Sequence, residues 1–234
     1  MLTGNRAINI RLSEEQMDKL KIDKMILGMC ATNCYFIHRE SSENKDNKEK
    51  KEVVFIDPAE QGDKIYEVLN ENGYEVKAII LTHGHFDHIM GVKALKEKSG
   101  AKVYAPRDEI ELLEDADKNI SSKWASAYTM KADEYFKDGD ILNLIDGISC
   151  KVISTPGHTI GSVSFYFEED GILFSGDTLF CESVGRTDFP TGSMSQLARS
   201  VKDKLFVLPD DVKVYPGHGP QTTIGYEKEN NACV

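Results

Sequence analysis

Apolar segments alternate with polar, glycine-containing segments along the whole chain, and their lengths and spacing predict the secondary structure. Short apolar runs bounded by turn residues are typical of buried strands, whereas apolar positions three and four apart are typical of helices. Strands are predicted over residues 25–37, 53–56, 78–81, 103–105, 141–145, 148–153, 163–167, 172–174 and 212–215. Helices are predicted over residues 64–70, 87–100, 107–115 and 193–208.

The alternation of strands and helices in this order predicts an α/β protein. A four-layer αββα sandwich, with two sheets face to face and helices outside, is compatible with the pattern. Residues 22–234 are expected to form a single domain, preceded by an extension over residues 1–21 in which residues 13–16 (SEEQ) resemble a helix capping box. Residues 40–52 mix both signs of charge and contain no apolar residue, which predicts an exposed hairpin loop.

Composition and charge exclude several classes of function. The chain has 234 residues, of which 40% are hydrophobic and 29% charged, as in an ordinary soluble globular protein. No apolar run reaches the roughly 20 residues that cross a bilayer, and residues 1–21 lack the apolar core of a secretory signal. We therefore expect a cytoplasmic protein that does not associate with membranes.

The cysteines and the net charge narrow the possible partners. The five cysteines are scattered, and we expect reduced thiols rather than a disulfide framework. A formal net charge of -11 without a basic cluster argues against a nucleic-acid partner. The expected partner is a small-molecule substrate, and the sequence leaves the oligomeric state open.

Five of the six histidines follow directly after apolar runs, where predicted strands end. Strand ends are rigid, and the loops beyond them bring polar side chains together in one cleft. Two aspartates occupy similar positions, and imidazole nitrogens with carboxylate oxygens suit zinc and iron. The sixth histidine, His38, lies outside any glycine-rich loop and is assigned no chemistry. The candidate ligands are His83, His85, Asp87, His88, His158, Asp177 and His218.

Seven ligands are too many for one ion, but they suit two ions with four or five ligands each. The expected ligands are His83, His85 and His158 for one ion, and Asp87, His88 and His218 for the other. Asp177 is expected to bridge the two divalent ions, which are zinc by preference, with iron or manganese as alternatives. A metal-bound hydroxide between them would attack a polarised carbonyl. Asp87 and Asp177 are therefore counted as catalytic residues as well as ligands.

The spacing of the first four ligands matches a known family signature. Residues 83–88 form the pattern H-x-H-x-D-H, by which the chain resembles the metallo-β-lactamase superfamily from about residue 25 onward. His158, Asp177 and His218 fall at the later ligand positions of that family. The resemblance implies the αββα sandwich, with the site at one edge between the sheets. It also implies that Asp57 supports the ligands without binding the metal.

Within the superfamily the chain resembles the small glyoxalase II-like proteins, which are related to hydroxyacylglutathione hydrolase. The segments that carry this resemblance are residues 28–35, 185–190 (GRTDFP), 217–220 (GHGP) and 222–227 (TTIGYE). It implies hydrolysis of a thioester. Arg186 is a candidate for binding an anionic substrate, and an ion pair with Asp188 is the alternative. The larger glyoxalase II enzymes bind glutathione through a C-terminal helical domain, and this chain ends shortly after Glu227, so the thiol carrier stays open.

Other activities are compatible with the same ligands. Persulfide dioxygenases share the Gly-Arg-Thr-Asp segment and use a single iron, which His83, His158 and Asp177 would hold. Lactone hydrolysis requires the same metal chemistry. A β-lactamase is less favoured, because those with two zincs commonly place a cysteine where Asp177 stands. A non-catalytic metal-binding module would require a site closed to water. Hydrolysis of a thioester is the favoured prediction.

The substrate cleft is harder to place from the sequence. Residues 116–135 form an irregular stretch that contains Trp124, Tyr128 and Tyr135. We expect these three aromatic residues to shape the cleft, and packing within the core is the alternative.

Overall fold

Two six-stranded sheets form the framework of the protein. The computed structural model describes residues 19–39 and 50–234. The strands of the first sheet, in spatial order, are β1 (Leu20–Leu27), β2 (Thr32–Arg39), β3 (Lys51–Ile56), β4 (Tyr74–Ile80), β5 (Lys102–Pro106) and β6 (Glu134–Phe136). The strands of the second sheet, in chain order, are β7 (Ile141–Ile145), β8 (Ile148–Ser154), β9 (Val163–Phe167), β10 (Ile172–Gly176), β13 (Lys213–Pro216) and β14 (Thr222–Thr223).

The second sheet has the spatial order β14-β13-β10-β9-β8-β7. A separate hairpin is formed by β11 (Leu179–Phe180) and β12 (Ser183–Val184). The helices are α1 (Gly62–Glu71), α2 (Phe86–Ile89), α3 (Val92–Ser99), α4 (Ile110–Glu114), α5 (Ser121–Trp124), α6 (Met194–Arg199) and α7 (Ile224–Asn230), and a π-helical segment at Ser200–Leu205 continues α6.

Three apolar cores separate four layers, and the alternation of side chains along the strands creates them. In β3, Phe55 packs toward α1 and α3, while its neighbour Ile56 packs between the two sheets. In β10, Phe174 faces the space between the sheets, and Leu173 packs against the helical segment at Ser200–Leu205 and against α7. The αββα sandwich expected from the sequence is therefore confirmed.

Several predicted elements have different boundaries. The single strand predicted over residues 25–37 is wrong, because the chain reverses after Gly28, with φ +76° there, and β1 pairs antiparallel with β2. The helix predicted over 87–100 is divided into α2 and α3. Gly91 lies at the break and packs so closely that a Cβ there would be 2.6 Å from the carbonyl oxygen of Pro58. The sequence did not predict β6, β11, β12, β14, α5 or α7.

Parts of two predictions fall outside the described residues. These are the capping box at residues 13–16 and the charged loop up to residue 49. Leu20 and Lys21, which the sequence placed in the N-terminal extension, are the first two residues of β1. In the described part of the chain, no helix is long and apolar enough to cross a membrane.

The carboxyl ends of β4, β8, β10 and β13 meet at one edge of the sandwich. Because β10 and β13 are parallel neighbours, the residues that follow them, Asp177 and His218, emerge side by side. The two sheets are joined at this edge by backbone hydrogen bonds: the N–H of Asn33 donates to the carbonyl of Gly217 at 2.7 Å, and the N–H of Val163 donates to that of Thr82 at 3.0 Å. The topology therefore places loops from both halves of the chain around one site.

Candidate metal centre

The seven candidate ligands converge at this edge in overlapping groups. In each group the potential ligand atoms all lie within 4.8 Å of one another. The groups are His83, His85 and His158; His83, His88 and Asp177; and Asp87, His88 and His218. The first and third groups are the two ligand sets expected from the sequence, and they are separate clusters as two metal ions require.

Asp177 lies between the two clusters. Its Oδ2 atom is 3.5 Å from Nε2 of His158, in the first cluster. The same oxygen is 3.3 Å from Nε2 of His218, in the second cluster. Gly217 allows this approach, because a Cβ there would lie 2.2 Å from Oδ1 of Asp177. A single carboxylate thus faces ligands of both clusters, which is the position of a bridging ligand.

Backbone carbonyls fix the orientation of two of the histidine rings. Nδ1 of His158 lies 2.7 Å from the carbonyl oxygen of Arg186, and Nδ1 of His218 lies 3.1 Å from that of Cys30. A carbonyl oxygen can only accept, so both Nδ1 atoms carry the proton. In the neutral ring the lone pair is therefore on Nε2, which faces the cluster in both residues, as in histidines that bind metals.

Asp57 fixes two further histidines. Its Oδ2 atom lies 2.9 Å from Nδ1 of His88 and accepts a hydrogen bond from the Thr82 hydroxyl at 2.6 Å. Since that hydroxyl donates to Asp57, it accepts from Nδ1 of His83 at 3.1 Å. Asp57 therefore holds His88 directly and His83 through Thr82. The Nε2 atom of His83 has no hydrogen-bond partner within the described ranges, and that of His88 faces Asp177 and His218 at 3.4 Å each, as ligand atoms of a metal would.

The donor atoms fit divalent metal ions. Nε2 of His83 and Oδ1 of Asp177 are buried and have no hydrogen-bond partner among the described residues, and Nδ1 of His85 lies 2.8 Å from Nε2 of His158. Buried polar atoms without partners are rare in proteins, and a bound ion is one of the ordinary explanations. Nitrogen and carboxylate donors together suit zinc and iron. The residues present therefore fit a bound divalent cation.

In the second cluster, the nearby carboxylates raise the pKa values of the histidines. Burial would lower the pKa of His88, but the carboxylates of Asp177, Asp87 and Asp57 outweigh it and raise this pKa well above its ordinary value. Burial also opposes protonation of His218, but hydrogen bonds that its ring donates to the carboxylates of Asp177 and Asp87 raise its pKa to about 9. Burial would raise the pKa of Asp87, and the charge of His88 outweighs it and lowers this pKa to about 2.

In the first cluster, burial lowers the pKa values of the histidines instead. Burial lowers the pKa of His85 to about 3, with a further contribution from His158. Burial likewise lowers the pKa of His83 well below its ordinary value, and that of His158. These three imidazoles are neutral at physiological pH, which is the form that binds a metal.

A buried glutamate that the sequence analysis missed connects two of the ligand loops. Glu109 is fully buried, and its two carboxylate oxygens accept hydrogen bonds from the backbone N–H of Gly84 and of Gly161, each at 2.7 Å. Gly84 separates His83 from His85, and Gly161 follows the loop that carries His158. Glu109 thus ties together the loops that supply all three ligands of the first cluster.

A cavity of about 370 Å³ opens over the metal centre. Of the three aromatic residues expected to shape the cleft, only Trp124 lines it. The expectation is wrong for Tyr128 and Tyr135, because both pack against the core between the first sheet and its helices. Phe180 and Phe189, which the sequence analysis did not assign to the cleft, also line the cavity.

Arg186 lines the cavity but is engaged by its neighbours. Its Nε and Nη2 atoms donate to the two carboxylate oxygens of Asp188, each at 2.7 Å. The guanidinium group also lies over the ring of Phe189, at 3.8 Å from its centre. The structure thus contains the ion pair that the sequence analysis considered as the alternative to anion binding.

His38 lies outside the metal centre. It is a buried residue of β2, with Nε2 at 3.5 Å from Oδ2 of Asp23 and its ring against Tyr74. None of the metal-binding groups in the described ranges includes it.

The fold and the site together define a class: an α/β sandwich that holds a histidine-rich metal site of two clusters at the edge between its sheets. The family model of the metallo-beta-lactamase superfamily matches residues 27–218. The chain belongs to the metallo-β-lactamase superfamily.

The chain is similar to a curated relative and to two proteins of known structure. Hydroxyacylglutathione hydrolase GloC from Haemophilus influenzae is 33% identical over 186 residues, which cover 78% of this chain and 87% of that protein. The crystal structure of the B3 metallo-beta-lactamase BLEG-1 matches with a TM-score of 0.81 and 36% identity, covering 91% of this chain and 98% of that one. The structure of TTHA1623 in a di-iron-bound form matches with a TM-score of 0.76 and 33% identity, covering 91% and 100%. Family and site together make this chain a metallo-hydrolase.

Proposed function

We propose that the protein hydrolyses a thioester of the hydroxyacylglutathione type at a centre of two divalent metal ions. The observation that carries the proposal is the position of Asp177 between the two clusters, at 3.5 Å from His158 and 3.3 Å from His218. The similarity to GloC supports the thioester, since that relative is a hydroxyacylglutathione hydrolase.

Each of the two ligand clusters would hold one metal ion. His83, His85 and His158 would hold one ion, and Asp87, His88 and His218 the other. The chemistry that such a centre would supply when occupied is acidification of a water and polarisation of the carbonyl under attack. Asp177 would keep the two ions together, while Asp57 and Glu109 hold the ligands in place. The open cavity above the clusters gives a substrate access to them.

We further propose that zinc is the preferred ion and that iron or manganese can replace it. The mixture of five imidazoles and two carboxylates suits zinc and iron alike. The di-iron form of TTHA1623 supports iron as an occupant.

Metal analysis combined with kinetics tests these proposals. Elemental analysis of the purified protein should give about two metal ions per chain, as a two-ion site requires. Turnover of S-lactoylglutathione or a related thioester should require these ions and should stop when a chelator removes them. A single iron per chain, with oxygen uptake on glutathione persulfide and no thioester hydrolysis, would instead identify a persulfide dioxygenase. Lactones in the same panel test the remaining alternative with this metal chemistry.

The similarity to BLEG-1 favours a second candidate function, hydrolysis of a β-lactam. The same metal centre would polarise the lactam carbonyl. A β-lactam such as nitrocefin therefore belongs in the panel. If kcat/KM for the β-lactam exceeded that for every thioester, the thioester proposal would be rejected.

A further inference from the structure

The cavity over the metal centre has a mostly apolar wall. The apolar residues that line it are Phe86, Ile120, Trp124, Phe180, Val184 and Phe189. Binding sites for small molecules commonly combine an apolar lining with a few polar groups that orient the ligand. Here the polar groups are concentrated at the metal centre, so the apolar wall is left to contact the rest of the substrate.

The wall offers no free positive charge. Apart from the candidate ligand histidines, Arg186 is the only cationic side chain lining the cavity in the described part of the chain. Two hydrogen bonds to Asp188 compensate its charge, and its stacking on Phe189 makes it part of the wall. A carboxylate on the substrate would therefore find no uncompensated side-chain cation in this part of the cleft.

Ile120 is held in the wall by an unusual backbone conformation. Its φ angle is +63°, in the left-handed region that a β-branched residue rarely adopts. Asn119 stabilises the conformation: its carbonyl accepts from the N–H of Phe86 at 3.1 Å, and its side-chain oxygen accepts from the N–H of Ser121 at 2.9 Å. Such strained positions cluster at functional sites, and here the strain places an apolar side chain in the cavity.

Trp124 leaves a large apolar surface open at the same wall. It lies at the end of α5, lines the cavity and is 53% exposed. A substrate group packed against it would remove this surface from water, which favours binding of an apolar group. Trp124 is also the only tryptophan of the chain, so its fluorescence reports on this wall alone.

We propose that the cleft selects thioesters that carry an uncharged, apolar group, aromatic or branched aliphatic, which packs against Ile120 and Trp124. The proposal rests on the thioesterase activity proposed above and specifies the substituent that occupies the cleft. A glutathione thioester meets it only with the carboxylates of the glutathione outside the cleft. The apolar group can belong to the acyl part or to the thiol part of the substrate, because both flank the reacting carbonyl.

Two series of thioesters show whether the apolar group belongs to the acyl part or to the thiol part of the substrate. The first series keeps one thiol and varies the acyl group from methyl to phenyl-bearing to carboxylate-bearing, and the second series keeps the acyl group and varies the thiol in the same way. In the series that places its variable group in the cleft, kcat/KM for the phenyl-bearing member should exceed that for the carboxylate-bearing member by on the order of tenfold. A preference for the carboxylate-bearing member in both series would overturn the proposal.

Substitutions of Trp124 and Ile120 test whether these residues cause the preference for the phenyl-bearing substrate. Trp124→Ala should lower kcat/KM for the phenyl-bearing substrate more than that for the methyl-bearing one, and so remove most of the preference. Ile120→Gly should act in the same direction. Glycine adopts φ +63° without strain, and because Ile120 is buried, the stability lost with its side chain is measured on the same preparation. Val207→Ala is the matched control, since Val207 is exposed and does not line the cavity. Unchanged selectivity in both wall variants would overturn the proposal.

Binding without turnover separates this inference from the proposed function. A non-hydrolysable thioether with the same phenyl group should change the fluorescence of Trp124 in the purified protein, and a carboxylate-bearing thioether should do so only at much higher concentration. If the phenyl thioether binds in this way while no thioester is hydrolysed, the apolar site stands and the thioesterase proposal fails. If thioesters are hydrolysed and neither thioether affects Trp124, the thioesterase proposal stands and the apolar site fails.

Discussion

The buried carboxylate of Glu109 accepts a hydrogen bond from the backbone N–H of Gly84 at 2.7 Å. Through its other oxygen it accepts one from Gly161 at the same distance. Because Gly84 lies between His83 and His85, this contact sets the course of the backbone between two candidate ligands. The first metal cluster therefore depends on a residue that binds no metal.

We expect Glu109→Gln to weaken metal binding at the first cluster. The amide replaces one acceptor oxygen with a donor, so one of the two backbone N–H groups loses its partner in a buried environment. Loss of supporting contacts of this kind typically lowers metal affinity by about 10-fold to 100-fold. Chelator competition measures the affinity of each site. Glu111→Gln is the control, because Glu111 lies two residues away and is exposed, and an equal loss in both variants would contradict the positioning role.

The ionisation of Glu109 should also make stability depend on pH. Burial raises its pKa from 4.5 to about 7 in the folded protein, although backbone hydrogen bonds partly oppose the shift. A pKa raised by folding stabilises the protein below the unfolded value near 4.5, and this contribution is lost as the pH rises through about 7. The free energy of unfolding of the metal-free wild type should therefore fall relative to Glu109→Gln across this window, by at most about 1.4 kcal/mol per pH unit. Denaturant titrations of both proteins at several pH values measure the difference, and a constant difference would contradict the raised pKa.

Asp177→Ala should abolish turnover and loosen both metal ions. The carboxylate faces histidines of both clusters, so its loss removes a ligand from each ion and leaves their positive charges without a shared anion. Metal content after dialysis and the rate of thioester hydrolysis check this expectation. Asp146→Ala, an exposed position in the turn between β7 and β8, should retain both properties. Full activity of Asp177→Ala would refute the bridging role.

Asp57→Asn should reduce metal affinity without unfolding the protein. Asparagine tolerates the left-handed conformation of Asp57, which has φ +51°. Its amide, however, loses the charge, and with the amide oxygen at the position of Oδ2 the amide nitrogen faces the backbone N–H of Thr82, which donates to Oδ1 of Asp57 at 2.8 Å in the wild type. We expect a drop in affinity of about 10-fold to 100-fold, measured by chelator competition, and an unchanged circular dichroism spectrum. The exposed Asp63→Asn is the control and should bind metal as the wild type does.

Metal binding should release protons at neutral pH. The raised pKa values of His88 and His218 keep both rings protonated in the metal-free protein, and only a neutral imidazole binds a metal. Affinity should therefore increase as the pH rises from 6 towards about 9, the pKa of His218. Calorimetric titrations with zinc in buffers of different ionisation enthalpy count the released protons. The absence of proton release at pH 7 would contradict these shifts.

Asp188→Asn should make the cleft more tolerant of anionic substrates. The substitution removes the partner that compensates the charge of Arg186, so the guanidinium becomes available to a substrate carboxylate. We expect KM for a carboxylate-bearing thioester to fall a few-fold and that for an uncharged thioester to stay the same. Steady-state kinetics with the two substrates provides the measurement, and an equal change for both would show that the pair acts only on the structure of the loop.

The sequence by itself determined which residues are available for the chemistry. His83 and His85, like Asp177 further along the chain, follow apolar runs directly, and the β propensity of these runs is a local property that can be read without the fold. The alternation of strands and helices determined the α/β class for the same reason. The sequence did not determine the boundaries of the secondary-structure elements. The turn after Gly28 lies within a long apolar stretch, and strand pairing rather than composition defines it.

Only the tertiary structure decided how these residues are supported and what surrounds them. Glu109 belongs to an acidic segment that the sequence predicts as an ordinary helix, yet its partners Gly84 and Gly161 lie 25 and 52 residues away. The cleft depends in the same way on Ile120, whose neighbour Asn119 accepts a hydrogen bond from the distant backbone N–H of Phe86. Hydrogen bonds and packing between distant segments fix both features, and the identity of neighbouring residues does not encode them.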